Sequence, residues 1–184
     1  MEFGIKRYTT FFLNRWQKGL LVWTFLLATL RVVCLADSPS MNSSPESIDA
    51  MYLTYSKDFS DVKEISVHDL VRQESPDFVL VDTRSPEERA VSSIPGSITR
   101  AEFEGDPDSS RGKVIVAFCT IGYRSGLYAQ KLQQQGHDIR NLRGGLLAWC
   151  HAGQPVVAAS GPTHRVHVYG RKWNLLPEQY HGVW

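Results

Sequence analysis

The chain has 184 residues, 42% hydrophobic and 21% charged, with a formal net charge of +1. That composition excludes a disordered or fibrous protein and fits one globular domain with extra segments. The charge is uneven. Residues 1–36 hold five basic residues (Lys6, Arg7, Arg15, Lys18, Arg31) and one acid, Glu2, leaving 15 of the 20 basic and 18 of the 19 acidic residues for 37–184. No basic face for nucleic acid remains there. Cys34, Cys119 and Cys150 are too few and scattered for a disulfide framework and lack zinc-site spacing, so no metal is expected. A Cys119–Cys150 bridge stays open.

Gly19 to Leu30, GLLVWTFLLATL, is uncharged, with basic residues before it and Arg31 after it. Cys34 and Ala36 resemble the small-residue positions of a signal-peptidase site. Twelve apolar residues are short of the roughly 20 a membrane span needs, but counting on to Ala36 gives eighteen, with Arg31 buried or snorkelling. Residues 1–36 therefore read as a signal peptide, as a membrane anchor through residues 19–36, or as an organellar leader. The first two imply the secretory pathway or membrane anchoring, the third organelle import. Residues 37–47, DSPSMNSSPES, read as a Ser/Pro-rich linker carrying the sequon Asn42-Ser43-Ser44. Linker and a short helix together occupy 37–61.

Ile48, Met51, Tyr52 and Tyr55 recur at helical spacing and predict that helix. Glu64 to Ser66 reads as a short strand and His68 to Gln73 as helix. Phe78 to Asp82, FVLVD, is an apolar run of the kind that forms a strand buried on both faces. Pro86 to Val91 predicts a helix with proline at its start. A turn at Ile94-Pro95-Gly96 and a brief strand over Ser97 to Thr99 follow, and Glu102 to Gly112 reads as a loop. Val114 to Phe118 is the second strongly apolar strand. Ser125 to Gln134 is a helix closed by Gly136, Ile139 to Leu142 a strand, and Gly144 to His151 a helix ended by Gly153. Apolar strands alternating with helices specify an α/β fold with a parallel sheet and helices on both faces.

Cys119 would stand at the carboxyl end of a central strand, where open parallel sheets place their sites. The loop from Cys119 to Arg124 runs straight into a helix. Inward N–H groups of the loop, the positive helix N-terminus and the Arg124 guanidinium all favour a thiolate or bind an oxyanion. Gly122 frees the backbone where the loop must turn sharply. A cysteine at the end of a buried strand is also compatible with a merely apolar role.

CTIGYRS, Cys119 to Ser125, resembles the active-site loop of the rhodanese sulfurtransferase family. VLVDTRSPEERAVSSIPGSI resembles the family's Asp-x-Arg strand, Pro-Glu-Glu helix and Ile-Pro-Gly turn, and IRNLRGGLLAWCHAGQPV its closing Gly-Gly-x-x-x-Trp segment. The resemblance covers roughly residues 62–156. It implies a rhodanese-like domain over 62–157, with a central five-stranded parallel sheet, and sulfane-sulfur transfer through a persulfide on Cys119. It implies an anion cradle from the N–H groups of Thr120, Ile121, Gly122, Tyr123, Arg124 and Ser125, with Asp82 and Arg84 bracing the loop from beneath. No metal or organic cofactor is implied. The partners implied are a small sulfur donor and a thiol or cyanide acceptor, including a protein thiol, with a monomeric chain.

Two features depart from the family pattern. Ser93 stands where members often carry histidine before Ile-Pro-Gly, and the usual helix before the cysteine strand is reduced to Glu102–Gly112, thinning that edge. Ile121 and Tyr123 occupy loop positions where thiosulfate-preferring members often have cations. The alternatives are a non-catalytic rhodanese-like module that docks a partner, and a phosphatase or arsenate reductase. The latter families place five residues between Cys and Arg, whereas this loop has four, Thr120 to Tyr123. Beyond 157 the resemblance stops. Residues 158–184 form an aromatic extension in which Val166 and Val168 alternate with Arg165, His167 and Tyr169, predicting a strand laid over the domain and covering the thinned edge. On a strand, His164 and His167 point to opposite sides and do not form a metal pair.

Overall fold

The computed structural model describes residues 43–72 and 78–184. The leader or anchor expected over 1–36, and most of the Ser/Pro-rich linker, lie outside the described residues. Among the described residues no helix is long and apolar enough to cross a membrane.

Helix α1 spans Pro45–Tyr55. Ser44 caps it by accepting the Ser47 N–H, and Pro45 supplies the preset first turn. The helix therefore begins inside the stretch expected to be linker. Ile48 and Tyr52 are its buried face. Strand β1 (Glu64–Ile65) and helix α2 (Val67–Val71) follow, then β2 (Phe78–Asp82), helix α3 (Pro86–Val91) and β3 (Ile98–Thr99). Next come helix α4 (Arg100–Gly105), β4 (Val114–Phe118), helix α5 (Tyr123–Gln134), β5 (Ile139–Leu142) and helix α6 (Gly145–His151).

Five strands form one sheet in the order β1-β5-β4-β2-β3, and every pairing is parallel. β2 and β4 lie in register from Phe78 opposite Val114 to Asp82 opposite Phe118. Period-two alternation divides their side chains between the two faces. Leu80, Val116 and Phe118 enter a core with Leu142, Leu146 and Leu147, while Val81, Ile115 and Ala117 enter another with Phe103, Ala129 and Ile139. Burial on both faces is why β2 and β4 read as unbroken apolar runs.

The stretch expected to be a bare loop, Glu102 to Gly112, is corrected by α4 and a 3-10 turn over Pro107–Ser110. Thr99 Oγ1 accepts the Glu102 N–H at 3.0 Å, and the Glu102 carboxylate accepts the Thr99 N–H at 2.6 Å. This reciprocal cap starts the helix. Phe103, 2% exposed, docks it on the sheet.

At the end of the domain β6 (Val156–Ala158) pairs antiparallel with β7 (Gly161–Thr163), and in the extension β8 (Arg165–His167) pairs parallel with β9 (His181–Val183). Val166, Val168, Leu175 and Leu176 are buried in the same core as Leu80 and Phe118. The extension's polar contacts include ones to α3, α6, the segment after α6 and the residue before the α1 cap: His167 faces Glu88, His151 bonds the Leu175 carbonyl, the Tyr180 hydroxyl donates to the Gln154 carbonyl and the Ser43 hydroxyl donates to the Leu176 carbonyl. The expected cover of the 102–112 edge is thus replaced by packing over α3 and the end of the chain's α6.

Candidate functional site

β4 ends at Phe118, and Cys119 follows at the carboxyl edge of the sheet, beside the end of β2. Thr83 holds that edge: its N–H and hydroxyl both donate to the Phe118 carbonyl, at 2.9 and 3.0 Å. The chain then turns through Thr120 and Ile121 to Gly122, whose φ of +99° suits only glycine comfortably. Any Cβ there would also meet the Tyr52 ring at 2.7 Å. Gly122 is the cap residue of α5, so the helix begins at Tyr123, two residues earlier than its spacing predicts. Arg124 therefore sits in its first turn.

Cys119 is buried, and its Sγ accepts the Gly122 N–H at 3.2 Å. The N–H groups of Tyr123, Arg124 and Ser125 open α5 and have no acceptor within the helix. The loop's carbonyls are engaged from behind. Leu146 N–H donates to the Cys119 carbonyl at 2.9 Å and Leu147 N–H to the Thr120 carbonyl at 3.1 Å. The start of α6 thus holds the loop by its oxygens. Gly145 makes this approach feasible: a Cβ there would fall 2.4 Å from the Cys119 carbonyl oxygen. The Asn141 amide donates to the Gly122 carbonyl at 2.8 Å, and the Ser125 hydroxyl donates to the Asn141 carbonyl oxygen at 2.7 Å. Thr120 Oγ1 is buried and has no hydrogen-bond partner among the described residues.

Asp82 and Arg84 form a fully buried ion pair, with Arg84 Nη2 2.8 Å from Asp82 Oδ2. Their further bonds do not go to the cysteine loop as expected. Arg84 donates to the Ser92 carbonyl at 2.6 Å, and the Ser93 hydroxyl donates to Asp82 at 2.6 Å. The pair fastens the end of α3 to β2, and Ser93, standing at the histidine position, completes it.

The residue that does reach the loop from α3 is Glu88, which residue patterns did not single out. Arg124 Nη1 and Nη2 each donate to one Glu88 oxygen at 2.7 Å. Glu88 is 5% exposed. Its burial alone would raise its pKa, but the Arg124 bonds and the Ser85 N–H outweigh that and bring it down to about 2. Arg124 is held above its ordinary pKa first by its bonds to Glu88, against its own desolvation. Cys119 and Cys150 are both free thiols, so the bridge left open is not formed. Burial pushes the Cys150 thiol up to about 12.

The cleft over Cys119 has a volume of about 300 Å³. Thr120, Ile121, Tyr123 and Arg124 line it from the loop, Tyr55 from α1, and Tyr169 and Trp173 from the extension. The four aromatic rings touch in sequence. Tyr169 meets Trp173 edge-on at 5.9 Å, Trp173 stacks on Tyr55 at 5.5 Å, and Tyr55 meets Tyr123 at 5.2 Å.

A family model, the rhodanese-like domain, matches residues 66–152. A sulfurtransferase of Allochromatium vinosum is 35% identical over 112 residues, covering 54% of this chain and 99% of that protein. A tRNA sulfurtransferase of Desulfurococcus amylolyticus is 38% identical over 72 residues, 38% of this chain and 14% of that protein. Among solved structures, a rhodanese-related protein of Thermoplasma volcanium is 30% identical, with 52% of this chain and 97% of that one covered and a TM-score of 0.46. The family model takes in every element from α2 to α6. With a 35% identical relative matched along almost its whole length as well, this chain belongs to the rhodanese-like domain family.

Proposed function

We propose that this chain is a sulfurtransferase that carries sulfane sulfur as a persulfide on Cys119. Family membership and the 35% identical sulfurtransferase support the reaction class. The observation that carries the mechanism is the Cys119 loop itself. One N–H already donates to Sγ, the carbonyls are drawn away by α6, and the first-turn N–H groups of α5 are left for an incoming group. The Cys119 thiolate attacks the outer sulfur of the donor. The donor's S–S or S–sulfonyl bond breaks, and its electron pair leaves with the departing thiolate or sulfite. An acceptor thiolate or cyanide then attacks the outer sulfur of Cys119–S–S⁻. That S–S bond breaks and its electron pair returns to Cys119. No electrons are gained or lost overall, and no cofactor is required.

Two features weigh against phosphoryl or arsenate chemistry. Only four residues separate Cys119 from Arg124. The Arg124 fork is turned onto Glu88, one N–H from each terminal nitrogen, so its bidentate face is not the one presented to a tetrahedral oxyanion. The test is cyanolysable sulfur on purified protein after incubation with a sulfane-sulfur donor. One sulfur per chain, mapped to the Cys119 peptide by mass, is expected. Sulfur-free Cys119 together with hydrolysis of aryl phosphates would overturn the reading.

A further inference from the structure

The aromatic extension supplies part of the cleft, and its geometry at that point is unusual. Val168 is fully buried, while Tyr169 beside it is 65% exposed. Tyr169 has a φ of +64°, the only positive value among the described non-glycine residues. The Gly170 N–H closes back on the Val168 carbonyl at 2.7 Å, a three-residue turn around Tyr169. Turns with a bulky residue in this conformation are rare and strained. The Tyr169 N–H donates to His167 Nδ1 at 3.3 Å, which helps to hold the turn. The turn presents the ring to the Arg124 guanidinium, 5.9 Å from its centroid, and to Trp173. Core packing does not account for an exposed side chain held in this way.

The chemistry of the cleft is equally specific. Tyr55, Tyr123, Tyr169 and Trp173 are its walls, and among the described residues Arg124 is the one charged residue lining it. That charge is compensated by the two bonds to Glu88. A doubly charged inorganic donor thus meets rings and a guanidinium already paired with a carboxylate. An uncharged organic group meets surfaces on which it can stack. A volume of about 300 Å³ suits a small molecule.

We propose that Tyr169 and Trp173 are specificity-determining residues that select a small organic persulfide, R–S–SH with an uncharged aromatic or alkyl R group, over thiosulfate. This rests on the sulfurtransferase reading. The R group stacks between the rings, which sets the outer sulfur against Cys119. In the transfer, Cys119–S⁻ and R–S–SH give Cys119–S–SH and R–S⁻, so one S–S bond forms as another breaks.

The experiment uses the full chain, with cyanide as common acceptor and benzyl hydrodisulfide or thiosulfate as donor. Wild type is expected to show the higher kcat/KM with benzyl hydrodisulfide. Tyr169→Gly keeps the turn's backbone conformation at no strain while removing the ring. The ratio of the two kcat/KM values should fall about tenfold in Tyr169→Gly and in Trp173→Ala, within the range of apolar-pocket discrimination. Tyr169→Phe should restore the ratio. A merely structural role would lower both donors together and leave the ratio unchanged, which would overturn the proposal. A wild-type preference for thiosulfate would overturn it too, while leaving the sulfurtransferase reading intact. Transfer from neither donor would remove both.

Discussion

Arg124 grips Glu88 with both terminal nitrogens, each 2.7 Å from one carboxylate oxygen. The arginine opens the helix after the cysteine loop and the glutamate lies on α3, under the neighbouring strand's end. The bond therefore clamps the loop to a second element and pairs the charge that lines the cleft with a carboxylate. Glu88 also accepts the Ser85 N–H at 2.9 Å, so one carboxylate caps its own helix and anchors the loop.

Removing one partner strands the other. Arg124→Ala leaves a nearly buried carboxylate without its fork of donors and should cost about 1–3 kcal/mol. The rate of Cys119 alkylation should fall, because a positive charge beside the thiol is lost. Thermal melts and mapped iodoacetamide labelling read the two effects separately. Equal labelling rates in variant and wild type would show that Arg124 acts only through stability.

The same pair makes stability depend on acid. The Glu88 pKa is lowered in the folded chain, to about 2 from an ordinary 4.5. A depressed carboxylate stabilises fully above its unfolded value, so the contribution is complete above about pH 5. It is lost as pH falls from 4.5 towards 2 and corresponds to about 3 kcal/mol. Wild type should melt higher than Glu88→Gln at pH 7, and the gap should close through that window. A gap independent of pH would assign the effect to packing.

Cys119→Ser should abolish persulfide formation while leaving the fold intact, since a hydroxyl occupies nearly the same volume and cannot carry sulfane sulfur. Labelling at pH 8 should modify the Cys119 peptide and spare Cys150, whose thiol is pushed up to about 12 by burial. Cyanolysis of the serine variant and peptide mapping of the wild type provide the check. Retained transfer in the serine variant would remove Cys119 from its role.

Gly145→Ala tests how the loop is held. The added Cβ would lie 2.4 Å from the Cys119 carbonyl oxygen and 2.9 Å from that of Thr120, at a φ of +53°. Transfer should be lost along with about 1–3 kcal/mol of stability. Gly96→Ala is the control. It shares a positive φ, +73°, but its Cβ would meet nothing within 4 Å. It should lower the melting temperature without a matching loss of transfer. Equal activity loss in both would refute the bracing role of α6.

Truncation after Thr163 should prevent stable folding. It removes Val166, Val168, Leu175 and Leu176 from the core. At about 1.5–3 kcal/mol for each buried side chain, the loss approaches the roughly 5–15 kcal/mol that holds a domain together. Deleting residues 1–42 should leave the melt and the transfer rate unchanged. The cut stops there because Ser44 caps α1 and the Ser43 hydroxyl donates to the Leu176 carbonyl. A melt unaltered by the C-terminal cut would take the extension out of the core.

β2 and β4 show how the sequence by itself determined the centre of the sheet. Strands buried on both faces must be apolar throughout, so Phe78–Asp82 and Val114–Phe118 were legible to the residue. The cysteine's place was legible for the same reason, since it ends such a strand, a glycine follows three residues on and a helix is expected from Ser125. The α4 helix was legible in principle through Thr99-x-x-Glu102, but acidic and glycine residues around it carry the composition of a loop. The tertiary structure alone decided what meets the loop. Glu88 lies 36 residues before Arg124, and Tyr169 lies 50 residues after Cys119. Periodicity shows which face of a segment is apolar, but the partner that covers the face depends on strand order and on where the chain returns. The extension's aromatics were visible as a group needing burial, whereas their place around the cleft follows from β8 pairing with β9 and packing against α3.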